Sequence, residues 1–339
     1  MLKHPLARYL VRRFVSYIVS IWGAFTVAFF FFRLIPGDPI EALVMSMEQQ
    51  YSYSIKGADE MIEEYKAVFG LQGNLLEQYI RYVKNVVFKL DLGPSLVAFP
   101  THAQDLIARA LPWTLGLLSL SVVISWGLGL IIGALLGWKR DTRLGSWLTN
   151  LALCFSQIPY YFAALLLVFL LAYVWKLFPP RGAYSALLKP GFDFEFVKSL
   201  VRHGFLPSLS LVLVTMFGWL ISTRSLMISI LDEDYLIFAQ AKGLKEGRIL
   251  AWYGLRNILL PQVTGLGMAL GFILNGSYLV EWIFTYPGIG TLFVNAIGVL
   301  DYNTVQGVIL LSIFSVLTAN LVIDVVLPLL DPRVQYVES

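Results

Sequence analysis

Hydrophobic positions in this chain gather into long blocks rather than short amphipathic periods. Six runs approach or exceed the roughly 20 apolar residues that a helix needs to cross a bilayer core: residues 14–32, 111–138, 146–175, 205–223, 259–280 and 302–330. The first and second carry no charge, and Asp324 is the only charge in the last. The pattern predicts an all-α, polytopic membrane protein with six transmembrane helices. The first run is too long for a cleavable signal and lacks a small-x-small site after it, so it reads as a retained anchor.

Polar segments between the runs carry their own periodicity. Residues 232–242 predict a short helix, with Asp232 as N-cap and Glu233 and Asp234 adding negative charge to the first turn. Lys242 falls in the last turn and Gly243 at C′, where a helix ends. Tyr235, Phe238 and Ala239 form its expected apolar face. A second helical stretch, 245–256, follows. Between the first two runs, the middle of segment 35–109 is acidic (Asp59, Glu60, Glu63, Glu64). Stretches 61–69 and 75–88 have helical spacing, with Gly70 and Gly73 between them. This predicts a small external helical subdomain, either a packed cap or a docking platform. The expected organisation is residues 1–35 as N-terminal segment and first span, 36–109 as external subdomain, and 110–339 as a five-helix core with a cytoplasmic loop at 224–258.

Charge placement sets the orientation. Lys3, Arg8, Arg12 and Arg13 precede the first run; Lys139, Arg140 and Arg143 follow the second; Arg224, Lys242, Lys245, Arg248 and Arg256 follow the fourth. With six spans these segments share a side, and the positive-inside rule makes it the cytoplasm, with both termini. Residues 284–303 hold no Lys or Arg, whereas 176–202 hold several and run against the trend. Only 14% of residues are charged, against about a quarter in soluble domains.

Few groups suggest chemistry. The single cysteine, Cys154, excludes an internal disulfide and reads as a packing residue. His4, His102 and His203 are scattered, giving no support for a metal site or a triad. No G-x-x-x-x-G-K-[ST] stretch occurs, so any ATP must be bound by another chain. Glu281 and Asp324 lie near span ends, where water reaches them, and structural hydrogen bonding is favoured over proton coupling. Tyr286, Pro287 and Gly288 could form a tight turn toward a pathway, since glycine tolerates positive φ, or an ordinary surface turn. Arg33 is expected to snorkel at the outer interface. Gly129, Gly133 and Gly137, and likewise Gly267 and Gly271, are spaced for close helix approach to an unspecified partner. Pro159, Pro207 and Pro261 fall at or near span ends.

Several stretches together resemble one family. Glu233-Asp-Tyr, Ala239-Gln-Ala-Lys-Gly-Leu244 and Leu255-Arg-Asn-Ile-Leu-Leu-Pro261 are similar to the EAA coupling loop of ABC-transporter membrane subunits, in its longer oligopeptide/dipeptide-permease form. Arg33-Leu-Ile-Pro-Gly-Asp-Pro39, Leu90-Asp-Leu-Gly-Pro-Ser95, Leu111-Pro-Trp-Thr-Leu115, Glu281-Trp-Ile-Phe-Thr-Tyr-Pro-Gly-Ile-Gly290, Asn320-Leu-Val-Ile-Asp324 and Leu330-Asp-Pro-Arg333 resemble the B-type permease subunit in order and spacing. The resemblance implies a type I ABC-importer permease fold. It implies a paralogous second permease, two P-loop ATPase subunits that use ATP and Mg, and an extracytoplasmic substrate-binding protein. The chain itself would carry no cofactor, catalyse nothing and bind membrane lipid but no nucleic acid. Glu233, Asp234, Tyr235, Ala239, Ala241, Lys242, Gly243 and Leu244 would form the ATPase contact. Glu281, Tyr286, Pro287, Gly288 and Asp324 are pathway or gate candidates. Oligopeptides and oligosaccharides both remain open as substrates. The competing class, an ATP-independent secondary transporter or channel, would require broken or charged helices near mid-membrane and an inverted repeat, and neither is clear.

Overall fold

The computed structural model describes residues 5–34, 37–51, 57–273 and 278–330. The expectations placed on Lys3, on His4, on residues 35–36, on residues 274–277 of the fifth run and on Asp331-Pro-Arg333 lie outside these residues. Every regular element within them is helical, as the block pattern predicts. The chain divides into two compact units, residues 1–113 with 288–339, and residues 114–287.

The first unit contains α1 (Pro5–Arg33), α2 (Pro39–Tyr51), α3 (Ala58–Val68), α4 (Leu75–Lys89), the start of α5 (Ala103–Trp138), and, at the end of the chain, α13 (Ile289–Gly298) and α14 (Tyr302–Leu330). Helices α3 and α4 match the two predicted external stretches, and α2 was not foreseen. Asn74 caps α4 reciprocally: its side chain accepts from the Glu77 N–H at 2.9 Å, and Glu77 reaches back to the Asn74 N–H at 3.2 Å. Helices α1 and α14 lie side by side. In lipid the hydrophobic effect gives little preference for one apolar pairing over another, so polar contacts set their register. Tyr17 and Thr318 share a 2.9 Å hydrogen bond, and Arg13 pairs with Asp324 at 3.1 Å. Helix α4 packs onto α1 through Phe25, Phe29 and Tyr82, and a 2.7 Å bond joins Thr26 to Tyr79.

A buried carboxylate closes this unit. Asp301, just before α14, accepts from the Ser95 hydroxyl, from the N–H groups of Leu96 (2.8 Å) and Val97 (3.2 Å), and from the Thr304 hydroxyl (2.7 Å) and N–H (3.1 Å). It caps α14 and ties it to the loop after α4. Removing a carboxylate on which several buried donors converge strands all of them. Asp301→Ala is therefore expected to cost about 3 kcal/mol, measured as a lowered thermal midpoint of the detergent-solubilised chain. An unchanged midpoint would show that the cap does not hold the loop.

The second unit holds the rest of α5, α6 (Arg143–Ser156), α7 (Tyr160–Leu167) continuing as a π-helical turn (Val168–Val174), and α8 (Phe194–Ile230). It goes on through α9 (Asp234–Ala241), α10 (Glu246–Ile249), a second π-helical turn (Leu250–Leu255), α11 (Arg256–Gly271) and α12 (Tyr278–Ile283). Helix α8 is 37 residues long, or about 55 Å at 1.5 Å per residue. That exceeds a hydrocarbon core of about 30 Å, so the helix outruns the predicted 205–223 at both ends. Its charged ends look like loop in a hydropathy pattern but stay helical. For the same reason Pro207 is interior to α8, and Pro261 interior to α11, rather than at span ends.

The glycine ladder finds its partner within the chain. A methyl group built on Gly133 would lie 2.5 Å from the Leu220 carbonyl oxygen, and one on Gly137 would lie 2.6 Å from Met227 Cβ. The α5 backbone thus lies directly against α8. On α11 the close glycine is Gly265, against the Trp219 ring, while Gly267 faces open space.

Among the described residues four helices, Val11–Arg33, Ala103–Trp138, Phe194–Ile230 and Tyr302–Val322, are long and apolar enough to cross a membrane. The predicted run 146–175 is two helices meeting at 92° across Gln157–Pro159, and counting that pair as one gives five. Pro159 supplies the break: it starts α7 and cannot donate to a continuous ladder. Cys154 is exposed on α6, not packed inside.

Candidate functional site

The segment after α8 is built around α9. Glu233, not Asp232, takes the N-cap position, with extended backbone and no side-chain capping bond. Asp232 is instead drawn into a two-pronged ion pair with Arg140, at 2.9 and 3.0 Å. Arg140 holds the Asp232 carboxyl below the usual range, and Asp232 raises the guanidinium in turn. Both are solvent-exposed, so the pair is screened and adds little stability. Its fork geometry does fix the α5–α6 connection against the start of α9. Nothing local in the sequence announces a pair separated by 92 positions.

The far end of α9 follows the expectation. Gly243 adopts φ +71°, its N–H bonds the Gln240 carbonyl at 2.9 Å, and the Leu244 N–H bonds the Ala239 carbonyl at 3.4 Å. This doubled closure is a Schellman motif, and it needs a residue without Cβ strain at C′. Leu244 packs back on the same cluster as Ala239, the apolar contact that accompanies the motif.

The predicted apolar face of Tyr235, Phe238 and Ala239 is split. Leu236 and Ala239 are buried with Ile249, beside Trp138, Ile230 and Tyr253. Ile237 (54% exposed) and Phe238 (62% exposed) point away. Lys242 Nζ lies 4.6 Å from the centre of the Phe238 ring. Tyr235 is half-buried; burial and then the Glu233 charge push its hydroxyl pKa up, against a hydrogen bond from Asn257. Asp234, Ala241 and Lys242 are exposed. The helix therefore has a seated side of small and aliphatic residues and an outward side with two large apolar groups among charges. The stretch after it is not a separate helix followed by a span. Glu246–Ile249 runs through the π turn into α11 without a break.

The pathway candidates differ from one another in character. Asp324 is paired with Arg13 and half-exposed, which gives it a helix-pairing role. Glu281 is fully buried on α12, contrary to the water-accessible position expected of it. Its neighbours Val280 and Phe284 enter the core formed with α7 and α8 and draw Glu281 inside. Tyr286 is 4% exposed. Burial, then the Glu281 charge, push its hydroxyl up to about 12, so at neutral pH it keeps its proton. Gly288 has φ −98° and extended backbone. The left-handed residue of this turn is Thr285, at φ +48°, a β-branched residue that holds about 1–3 kcal/mol of strain there. The Phe284 carbonyl accepts from the Gly182 N–H at 2.8 Å and so fastens the turn to the loop before α8. Pro287 is exposed.

Residues 129–336 match the family described as binding-protein-dependent transport system inner membrane component. The chain is 31% identical to the oligopeptide transport system permease protein AppB of Bacillus subtilis (strain 168), over 98% of this chain and all of that protein. It is 29% identical to the dipeptide transport system permease protein DppB of Escherichia coli (strain K12), over 98% of this chain and 99% of that protein. It is 30% identical to the glutathione transport system permease protein GsiC of Escherichia coli O6:H1, over 98% of this chain and all of that protein. A helical, multi-pass chain with an EAA-like segment, matched from end to end by permeases, belongs to the family of inner-membrane permease components of binding-protein-dependent transport systems.

Proposed function

We propose that this permease forms half of an import pathway for small peptides, and that α9 is the surface through which separate ATPase subunits drive it. The observation that carries the coupling reading is the two-sidedness of α9. Leu236 and Ala239 seat it on its own chain, while Ile237 and Phe238 remain exposed at a capped, rigid helix. Large apolar side chains left on a charged surface suit insertion into a partner's cleft. Glu233, Asp234, Tyr235, Ala239, Ala241, Lys242, Gly243 and Leu244 then act in two ways. The charged residues contact the partner, and Ala239, Gly243 and Leu244 set the helix rigidly. The peptide reading is supported by the oligopeptide, dipeptide and glutathione systems named among its relatives.

The rest of the machine follows the same reading. A paralogous permease completes the pathway, two P-loop ATPases bind ATP and Mg, and an extracytoplasmic binding protein delivers the substrate to the helical subdomain at 36–109. Six spans arise when the bent α6–α7 pair and the α11–α12 segment are each counted with the four long helices. Both termini and the 224–258 loop are then cytoplasmic, by the Lys and Arg distribution. Glu281 and the Tyr286-Pro-Gly turn belong to a gate, in which the Glu281 and Tyr286 side chains are buried.

Affinity isolation in mild detergent is expected to recover a homologous permease and two P-loop ATPases with this chain. Recovery of the chain alone, active in liposomes without ATP, would overturn the reading. Topology is tested separately. In a Cys154→Ser background, Glu63→Cys and Lys245→Cys are expected to react with impermeant thiol reagents from opposite faces. Labelling of both from outside would rule out six spans with this orientation.

A further inference from the structure

Where α1 ends, its last residue enters a cleft that the transport reading does not use. The cleft encloses about 320 Å³, and its walls include Arg33, Arg81, Tyr82, Gln78, Asp91 and His102. Arg33 is half-buried in the cleft rather than extended freely into solvent as a snorkelling side chain would be. Its Nε and Nη1 are buried and have no hydrogen-bond partner, and its guanidinium stacks over Phe29 at 5.3 Å. The Tyr82 hydroxyl is likewise buried and unpaired, on a residue only 8% exposed. Tyr302, whose hydroxyl is also buried and unpaired, lies near Arg33.

The charges around the cleft do not balance. Its one carboxylate, Asp91, is already taken up by the Gly93 N–H at 2.9 Å, His102 at 2.8 Å and Gln104 at 3.3 Å. Arg33 therefore has no acidic partner within the cleft, and a buried guanidinium without one is strongly unfavourable. Native structures rarely leave such donors unfilled, and when they do an ion or water completes them. A buried, unpaired guanidinium N–H with a phenolic hydroxyl beside it is a donor pair that suits the oxygens of an anion. Gln78 Oε1, also unpaired, can accept from a ligand that carries a proton. We propose that this cleft is a binding site for an oxyanion of the carboxylate or phosphate class, held by Arg33 and Tyr82. The anion completes the charge at the junction of α1, α4 and α14. It comes either from solution or from a lipid headgroup.

The test uses the purified, delipidated full-length chain in detergent, with the thermal midpoint followed at constant ionic strength. Sodium acetate and inorganic phosphate are titrated against chloride, and phosphatidylglycerol is titrated separately in mixed micelles. A saturable rise with acetate or phosphate, absent in chloride, is expected. Arg33→Leu should remove the response, and Tyr82→Phe should raise the half-saturating concentration by about fivefold or more. A response to phosphatidylglycerol alone, lost in the same variants, identifies a lipid headgroup as the source and supports the site. The proposal fails if no oxyanion or lipid differs from chloride, or if Arg33→Leu responds like the parent chain. Should Arg33→Leu not fold, Tyr82→Phe and Arg33→Lys decide: an unshifted half-saturating concentration in both overturns the site. The readout involves no transport, so its failure leaves the transport reading untouched.

Discussion

Gly133→Ala is expected to lower the stability of the chain by about 2 kcal/mol, and Gly133→Leu to abolish folding. The added methyl would meet the Leu220 carbonyl oxygen at 2.5 Å and Thr223 Cβ at 2.8 Å. Neither belongs to the far end of a flexible side chain, so α5 and α8 must separate to admit it. Helices in lipid are held by close packing of this kind, and separation costs contacts along the whole ladder from Gly129 to Gly137. Gly127 provides the control. It lies on the same helix, but nothing stands within 4 Å of its Cβ position. Gly127→Ala should gain up to about 1 kcal/mol from helix propensity. Thermal midpoints of the two variants in one detergent check this. Equal midpoints would mean that α5 and α8 do not meet as described.

Gly243→Pro should reduce transport by about tenfold or more in the reconstituted assembly while ATP hydrolysis continues. Proline cannot adopt φ +71°, and it removes the N–H that bonds the Gln240 carbonyl. The Schellman closure opens, Leu244 leaves the cluster with Ala239, and the end of α9 frays. A frayed lever transmits less displacement, which is the physical content of uncoupling. Gly243→Ala, which can reach the left-handed region at about 1–2 kcal/mol, should fall between the parent chain and the proline variant. Phe238→Ala separates contact from rigidity. Its ring is largely exposed and lies outside the cluster that seats α9, so transport should drop with the thermal midpoint of the isolated chain little changed. Full transport by both Gly243→Pro and Phe238→Ala would remove α9 from the coupling path. Glu233→Lys places opposite charge at the N-cap of α9 and should weaken the contact in the same direction.

The end of α9 was readable because Gly243 acts locally: a glycine after Lys242 closes a helix through backbone geometry alone. The start was misread for the opposite reason. Asp232 is a sound N-cap by local rules, but Arg140, brought near only by the fold, offers its carboxylate two charge-assisted bonds. The apolar face was half right. Spacing identifies Ala239 as inward, but not which of Tyr235, Leu236 and Phe238 shares its side. Seating against Ile249 and Trp138 takes in Leu236, with Tyr235 packed at its edge as expected, and leaves Phe238 outside. Asp301 stands where an N-cap would, just before an apolar run, but the sequence does not show its weight. Its importance comes from Ser95, Leu96 and Val97, some two hundred positions earlier.

Composition and block hydropathy by themselves determined that the chain is helical and lives in a membrane, because a bilayer demands both whatever the packing. Motif order determined the family, because those stretches are contiguous and survive without knowledge of contacts. Tertiary structure alone decided the partner of the glycine ladder, the 92° break at Pro159 and the burial of Glu281. It also decided the unpaired guanidinium of Arg33. Each of these depends on which distant groups arrive at the same place, and one-dimensional patterning carries periodicity and propensity but no distances between helices.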